Sequence, residues 1–245
     1  MKSTMFAMAS MAAMIAAGCG GSDDGGGGGG GGADGGGGGG DADGGGGGDT
    51  GRYFPLVVGA SWTYRVTDVT DASVSSKSQT VEAFEDVGGD KAGVMAFRMR
   101  SEKDNGYTLS WQEDTGTAVI RHREESYDLA DVFESEDWFT PHKLRIDESD
   151  AHVELDATFS DSYTEDSIDH TNGDVLTSTT KSEDWVVEAV DDEIDVPAGT
   201  FVCLRLFRSN DGTGTQKRYW FARGVGKVKE TGGAQIEELS DYTLP

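Results

Sequence analysis

The chain has 245 residues, with 45 Asp and Glu against 20 Lys and Arg, a formal charge of −25. So acidic a protein lacks the basic stripe that phosphate backbones require, which excludes ordinary nucleic-acid binding. The length accommodates one domain or two small ones, and Gly is concentrated in one place: 22 of the 32 residues from Gly20 to Gly51 are Gly, leaving 14 in the 194 that follow.

The first segment has the plan of a secretory signal. Lys2 supplies a charge, Met5 to Ala17 form an apolar run of 13 residues, and small residues follow up to Cys19. As a helix that run reaches only about 20 Å, short of a roughly 30 Å hydrocarbon core. Ala16-Ala17-Gly18-Cys19 resembles the lipobox of bacterial lipoproteins, with Ala16 in the place usually given to Leu. The resemblance implies cleavage after residue 18 and lipidation of Cys19 with acyl chains such as palmitate, enough for stable anchoring. It also implies outer-membrane sorting, because Gly20 rather than Asp follows the Cys. The expected membrane partner is therefore reached through Cys19.

Residues 19–51 read as a tether. The Gly runs are broken mainly by Asp and offer nothing apolar to bury, so disorder is expected. As a random coil the segment spans roughly 30 Å. A phosphate loop would need a preceding strand, a following helix and a Lys, and none is there. The remaining domain, residues 52–245, carries 39 acidic and 19 basic residues.

That domain has the period-two pattern of β-strands. Trp62, Tyr64 and Val66 alternate with polar residues, and Met95, Phe97 and Met99 do the same. Asp104-Asn105-Gly106 and Asp114-Thr115-Gly116 read as turns, and Asn172-Gly173 is the strongest hairpin signal, a type I′ turn between two arms longer than ten residues. Further strands are expected over 200–208, with Val202, Leu204 and Leu206 on one face, and over 215–222, 225–229 and 235–242. A short helix competes only over Glu124 to Trp138, where Leu129, Val132 and Phe133 have helical spacing and Asp128 could cap. The expected fold is all-β: one large curved antiparallel sheet, a half-barrel or open barrel, of about eleven strands.

Candidate sites are few. Cys203 is the one thiol left after Cys19 is lipidated, and it reads as a small structural residue on the face opposite Val202 and Leu204. His122, His142, His152 and His170 lack zinc spacing, and Asp169 to Asp174 lacks the third and twelfth ligands of a calcium loop. No catalytic residue, metal or cofactor is expected. Tyr219-Trp220-Phe221 must send side chains to both faces of a strand, which leaves at least one aromatic to line a cavity or meet solvent.

Three stretches, Tyr53-Phe54-Pro55-Leu56-Val57-Val58-Gly59-Ala60-Ser61-Trp62-Thr63-Tyr64, Val196-Pro197-Ala198-Gly199-Thr200-Phe201 and Trp220 to Lys229, together resemble a group of uncharacterised bacterial lipoproteins and secreted proteins. Their shared pattern is FPLxxGxxWxY … PAGTF … GVGxV. The resemblance implies a fold similar to the half-barrels of periplasmic lipid and lipoprotein carriers and assigns no functional residue. The expected function is a non-enzymatic, membrane-anchored lipoprotein presenting an acidic β-domain for binding or envelope structure. The alternative is a carrier or sensor of an apolar ligand in the concave face, which calls for an apolar cavity. A hydrolase would call for convergent polar residues with shifted pKa values in a cleft. The identity of a protein or apolar small-molecule partner stays open.

Overall fold

The structure, a computed structural model, describes residues 51–245. The signal segment, Cys19 and all but the last residue of the Gly-rich segment lie outside them. Twelve antiparallel strands run in chain order: β1 (Ser61–Asp68), β2 (Val74–Asp86), β3 (Met95–Lys103), β4 (Gly106–Asp114), β5 (Ala118–Tyr127), β6 (Phe133–Asp147), β7 (Thr158–Asp169), β8 (Val175–Val196), β9 (Gly199–Asn210), β10 (Gln216–Ala222), β11 (Gly226–Gly232) and β12 (Gln235–Thr243). Each pairs with its neighbours in sequence, and β1 also pairs with β12, so the meander closes into a barrel. Closure removes both sheet edges. Register shifts in six of the strand pairs bend the sheet, as bulges do when a sheet must curve. No helix among the described residues is long and apolar enough to cross a membrane.

The twelfth strand is β6, where sequence spacing admitted a helix. Asp131 takes a left-handed backbone (φ 60°), and the Asp128 carboxylate accepts from the amides of Ala130 and Val132. These contacts make a tight loop, after which Phe133 pairs with Tyr127 as a strand residue. The only helical turns described are two short 3-10 segments, Gly89–Lys91 and Asp150–His152.

The two ends of the barrel differ. At one end the segment before β1 folds in as a plug: Tyr53, Phe54 and Leu56 are buried. The Phe54 ring lies 6.1 Å from Trp62 and 6.0 Å from Phe221. The amides of Tyr53 and Phe54 donate to the Glu148 carboxylate at 2.8 and 3.1 Å, and Arg52 pairs with Glu148 and Asp114. The Trp62 indole donates to the Val225 carbonyl at 2.6 Å, and a side chain on Gly226 (φ 114°) would strike that indole. The ends of the recurring sequence pattern thus meet in one place, the barrel floor. Above it the inward faces supply the apolar core: Trp62, Val187, Leu204, Leu206 and Leu239.

The outer wall carries rows of ion pairs, among them Arg65 and Lys229 to Glu238, Arg98 to Glu82 and Glu85, and Arg205 and Arg218 to Glu188. A barrel spanning a membrane needs an apolar band there.

Three local expectations shift. Asp169 pairs with Val175, so five residues connect β7 and β8, and the left-handed pair is Gly173 and Asp174 (φ 82° and 60°), not Asn172 and Gly173. Asp169 makes that wider turn by accepting from the amides of Thr171 and Asn172. On β9, Val202 is 58% exposed while Cys203 and Leu204 are both buried. Beside it β8 bulges: between the Ala189–Arg205 and Asp192–Cys203 pairs, two residues of β8 oppose one of β9.

Candidate functional site

Strand alternation fixes what lines the lumen. On β1, Trp62, Tyr64 and Val66 point inward, and opposite them on β2 stand Gln79, Lys77 and Ser75. The same alternation carries Lys103 of β3 onto the lumen face with Ser101, Arg208 of β9 with Leu206, and Lys217 of β10 with Tyr219. Above the apolar floor these inward positions become charged. They enclose a cavity of about 280 Å³, lined by eight Lys and Arg side chains against three Glu. The cavity lies at the end of the barrel formed by the β1–β2, β3–β4 and β11–β12 turns, opposite the plug.

One wall is largely matched, with three lysines sharing two glutamates. Lys227 on β11 is buried and donates to Glu230 at 2.5 Å and Glu237 at 2.6 Å. Glu237 also holds Lys77 at 2.8 Å, and Glu230 holds Lys217 at 2.5 Å. Burial alone would raise the Glu237 carboxyl, but Lys227 and Lys77 outweigh it and pull it down to about 2. Glu230 is held well below the usual carboxylate range in the same way, burial being outweighed by Lys227 and Lys217. Burial disfavours the Lys227 charge, and the two glutamates overcome it and raise its pKa. Lys77 goes the other way: burial and the Lys227 charge push it down to about 8.

The other wall has too few carboxylates. Arg121 pairs with Glu124, and Arg208 reaches Glu183 at 3.2 Å. Lys143 has only a long contact, 3.8 Å to Glu165, and burial with the neighbouring Arg121 charge pushes it down to about 8. Neither Lys103 nor Arg145 has an ion pair among the described residues, although both line the cavity. The Nε groups of Arg121, Arg145 and Arg208 are buried and make no hydrogen bond. Buried cationic donors without acceptors are costly unless something supplies the acceptor.

The residues singled out from sequence fall elsewhere. Cys203 is buried in the apolar core, where burial and the Asp192 carboxylate push its thiol up to about 12. His122 bonds Glu113 and Lys91, His152 bonds Asp147, and His170 bonds Asp174. No group of three or more His, Cys, Asp and Glu among the described residues is arranged to hold a metal ion. In the aromatic triplet, Tyr219 lines the cavity, with Phe221 6.1 Å from it on the same face. Trp220 takes the other face, where it is covered and its indole donates to Asp192 at 2.7 Å.

The carrier alternative called for an apolar concave face, and the lumen overturns that chemistry. The inward positions nearest the mouth are Lys, Arg, Glu, Gln and Ser, so the cavity is polar on every side. Nothing in the sequence reading identified this cationic lumen. The signal was there in the inward alternation itself, in Lys217 two residues before Tyr219 and Arg208 two after Leu206.

No family model matches the sequence, and no curated protein does. Among solved structures, a Bacteroides fragilis protein described as exported and of YmcC-like fold matches over 79% of this chain and 100% of its own, at 11% identity and a TM-score of 0.45. A Parabacteroides distasonis protein described as a lipoprotein matches over 80% and 100%, at 11% identity and a TM-score of 0.32. Likenesses this distant do not bear on ligand or activity.

Proposed function

We propose that this protein is a non-enzymatic, lipid-anchored component of the bacterial envelope whose barrel is a binding module for a small anionic molecule. One observation carries the proposal: in a chain of net charge −25, eight of the 20 basic residues line a single cavity with only three acidic ones. The lumen is thus enriched in cations while the chain as a whole carries an excess of acid. A cavity with low-dielectric walls focuses such a field on whatever enters it.

The anchor half of the proposal rests on the lipobox at Ala16 to Cys19 and the Gly/Asp-rich segment after it. Gly20 favours the outer membrane. The acidic outer wall would be repelled by anionic headgroups, which favours a domain held off the surface. Native mass spectrometry of the full-length protein in mild detergent tests the ligand half. A co-purifying anionic small molecule, released by high salt, is the expected result. A stoichiometric neutral lipid in its place would refute it.

A further inference from the structure

The distribution of carboxylates within the lumen narrows the ligand further, on the premise that the lumen binds an anion. Around the β11–β12 wall every lysine is matched: Lys77, Lys217 and Lys227 share Glu230 and Glu237. Across the cavity the matching stops. Lys103 and Arg145 have no ion pair among the described residues, and Lys143 has one only at 3.8 Å.

Arg145 is central to this deficit. Its Nε is buried without a hydrogen bond. Its charge acts on Tyr64 of β1, on Arg121 and Glu124 of β5 and on Tyr219 of β10, groups on well-separated sides of the barrel. Arg145 lines the cavity, where a ligand entering from the mouth would meet its guanidinium. A guanidinium offers a planar fork that matches the oxygens of phosphate or carboxylate, and a lysine adds a point charge. Lys143 and Arg145 are partly buried, where a charge without a close partner is unfavourable, whereas Lys103 is exposed at the mouth and adds only attraction.

We infer that Arg145, Lys143 and Lys103 form the seat of an oxyanion ligand carrying two or more negative charges, such as a phosphate ester or a small polycarboxylate. The excess of cations over carboxylates at this wall sets the charge: Arg145, Lys143 and Lys103 share only Glu124, which already pairs with Arg121, and Lys143 meets Glu165 at 3.8 Å, so a dianion balances the wall better than a single carboxylate. The cavity volume of about 280 Å³ sets the size: a small metabolite fits, a nucleic acid or a lipid tail does not. Gln79, Ser101, Thr108 and Gln235, also in the lining, offer neutral hydrogen-bonding groups for the uncharged part of such a ligand.

The test is isothermal titration calorimetry on the full-length protein in detergent, with inorganic phosphate, pyrophosphate, citrate and acetate as probes. Pyrophosphate or citrate should bind at least tenfold more tightly than acetate, with affinity that falls as salt is raised. Pyrophosphate alone binding would identify a phosphoryl group, and citrate alone a polycarboxylate. R145Q should weaken the better probe at least tenfold, K103Q should weaken it by a smaller factor, and R218Q on the outer wall should leave it unchanged. If R145Q does not fold, R145K and K103Q carry the test, because Lys103 is exposed at the mouth and supports no packing. Tight polyanion binding that R145Q and K103Q leave intact would overturn this seat while leaving an anion-binding lumen standing. Acetate binding as tightly as the polyanions would overturn the charge requirement. If none of the probes binds while an anion co-purifies, the ligand class is wrong; if none binds and none co-purifies, the anion-binding premise falls as well.

Discussion

The Tyr64 hydroxyl donates to the backbone carbonyl of Lys227 at 3.0 Å, and the Lys227 ammonium lies 5.0 Å from the centre of the Tyr64 ring. The two residues mark the level at which the apolar floor of the barrel gives way to the charged lumen. Below them the inward side chains are Trp62, Phe54 and Phe221; above them lie Glu230, Glu237 and Lys77. The ring face shields the ammonium from below, and the two carboxylates neutralise it from above.

Removing the shared cation should therefore cost more than removing the cluster. K227M leaves Glu230 and Glu237 buried with less compensation and should destabilise the barrel by about 3–5 kcal/mol. Adding E237M to that variant should recover part of the loss. Urea denaturation of the two variants checks the order; a double variant less stable than K227M would contradict the picture of one matched network.

Acid should unfold the barrel through the same cluster. Glu237 is held at about 2, against an ordinary 4.5, and Glu230 is also lowered. A carboxyl depressed by folding contributes stability that is complete above its unfolded pKa and is lost as pH falls toward its folded value. The loss from Glu237 should run from about pH 4.5 down to about pH 2 and amount to about 1–3 kcal/mol. Denaturant midpoints measured across that range should fall less steeply in E237Q.

Lys77 and Lys143 both sit at about 8, below the ordinary 10.5. In the free barrel this sign means that stability rises as pH climbs from about 8 toward 10.5, where only the unfolded chain still holds those protons. A polyanion in the lumen would favour the charged lysines and draw protons in. Binding near pH 8 should then take up about one proton, and near pH 6 almost none. Calorimetry in buffers of different ionisation heat reads this directly.

At the floor, G226A should destabilise by about 1–3 kcal/mol. Gly226 has φ 114°, and a Cβ there would lie 2.9 Å from the Trp62 indole nitrogen, displacing its bond to Val225. Thermal unfolding followed by tryptophan fluorescence is the check. Ligand affinity should be unchanged, because the lumen seat lies at the other end.

The sequence disclosed the all-β architecture well, and the reasons are local. Trp62-x-Tyr64-x-Val66 and Met95-x-Phe97-x-Met99 each state their own period. Failures came where a distant residue decides. Leu129, Val132 and Phe133 are helically spaced, yet Phe133 stacks on Tyr127 and lies 4.2 Å from His170 across neighbouring strands. Cys203 keeps the face opposite Leu204, in unbroken register with β10, but its own strand did not disclose that this face is covered as well. The candidate site was illegible for a related reason. Lys103, Arg145 and Lys227 are unremarkable basic residues in a chain rich in charge, and only closure of the sheet turns their separate inward positions into one surface.

Both chain ends of the described domain belong to the plugged end: Gly51 packs on Gly224 in the β10–β11 turn, and Pro245 lies beside Gly59. The described domain is thus a cup whose two chain ends both lie at its foot, and neither Gly51 nor Pro245 stands at the rim through which a solute would enter.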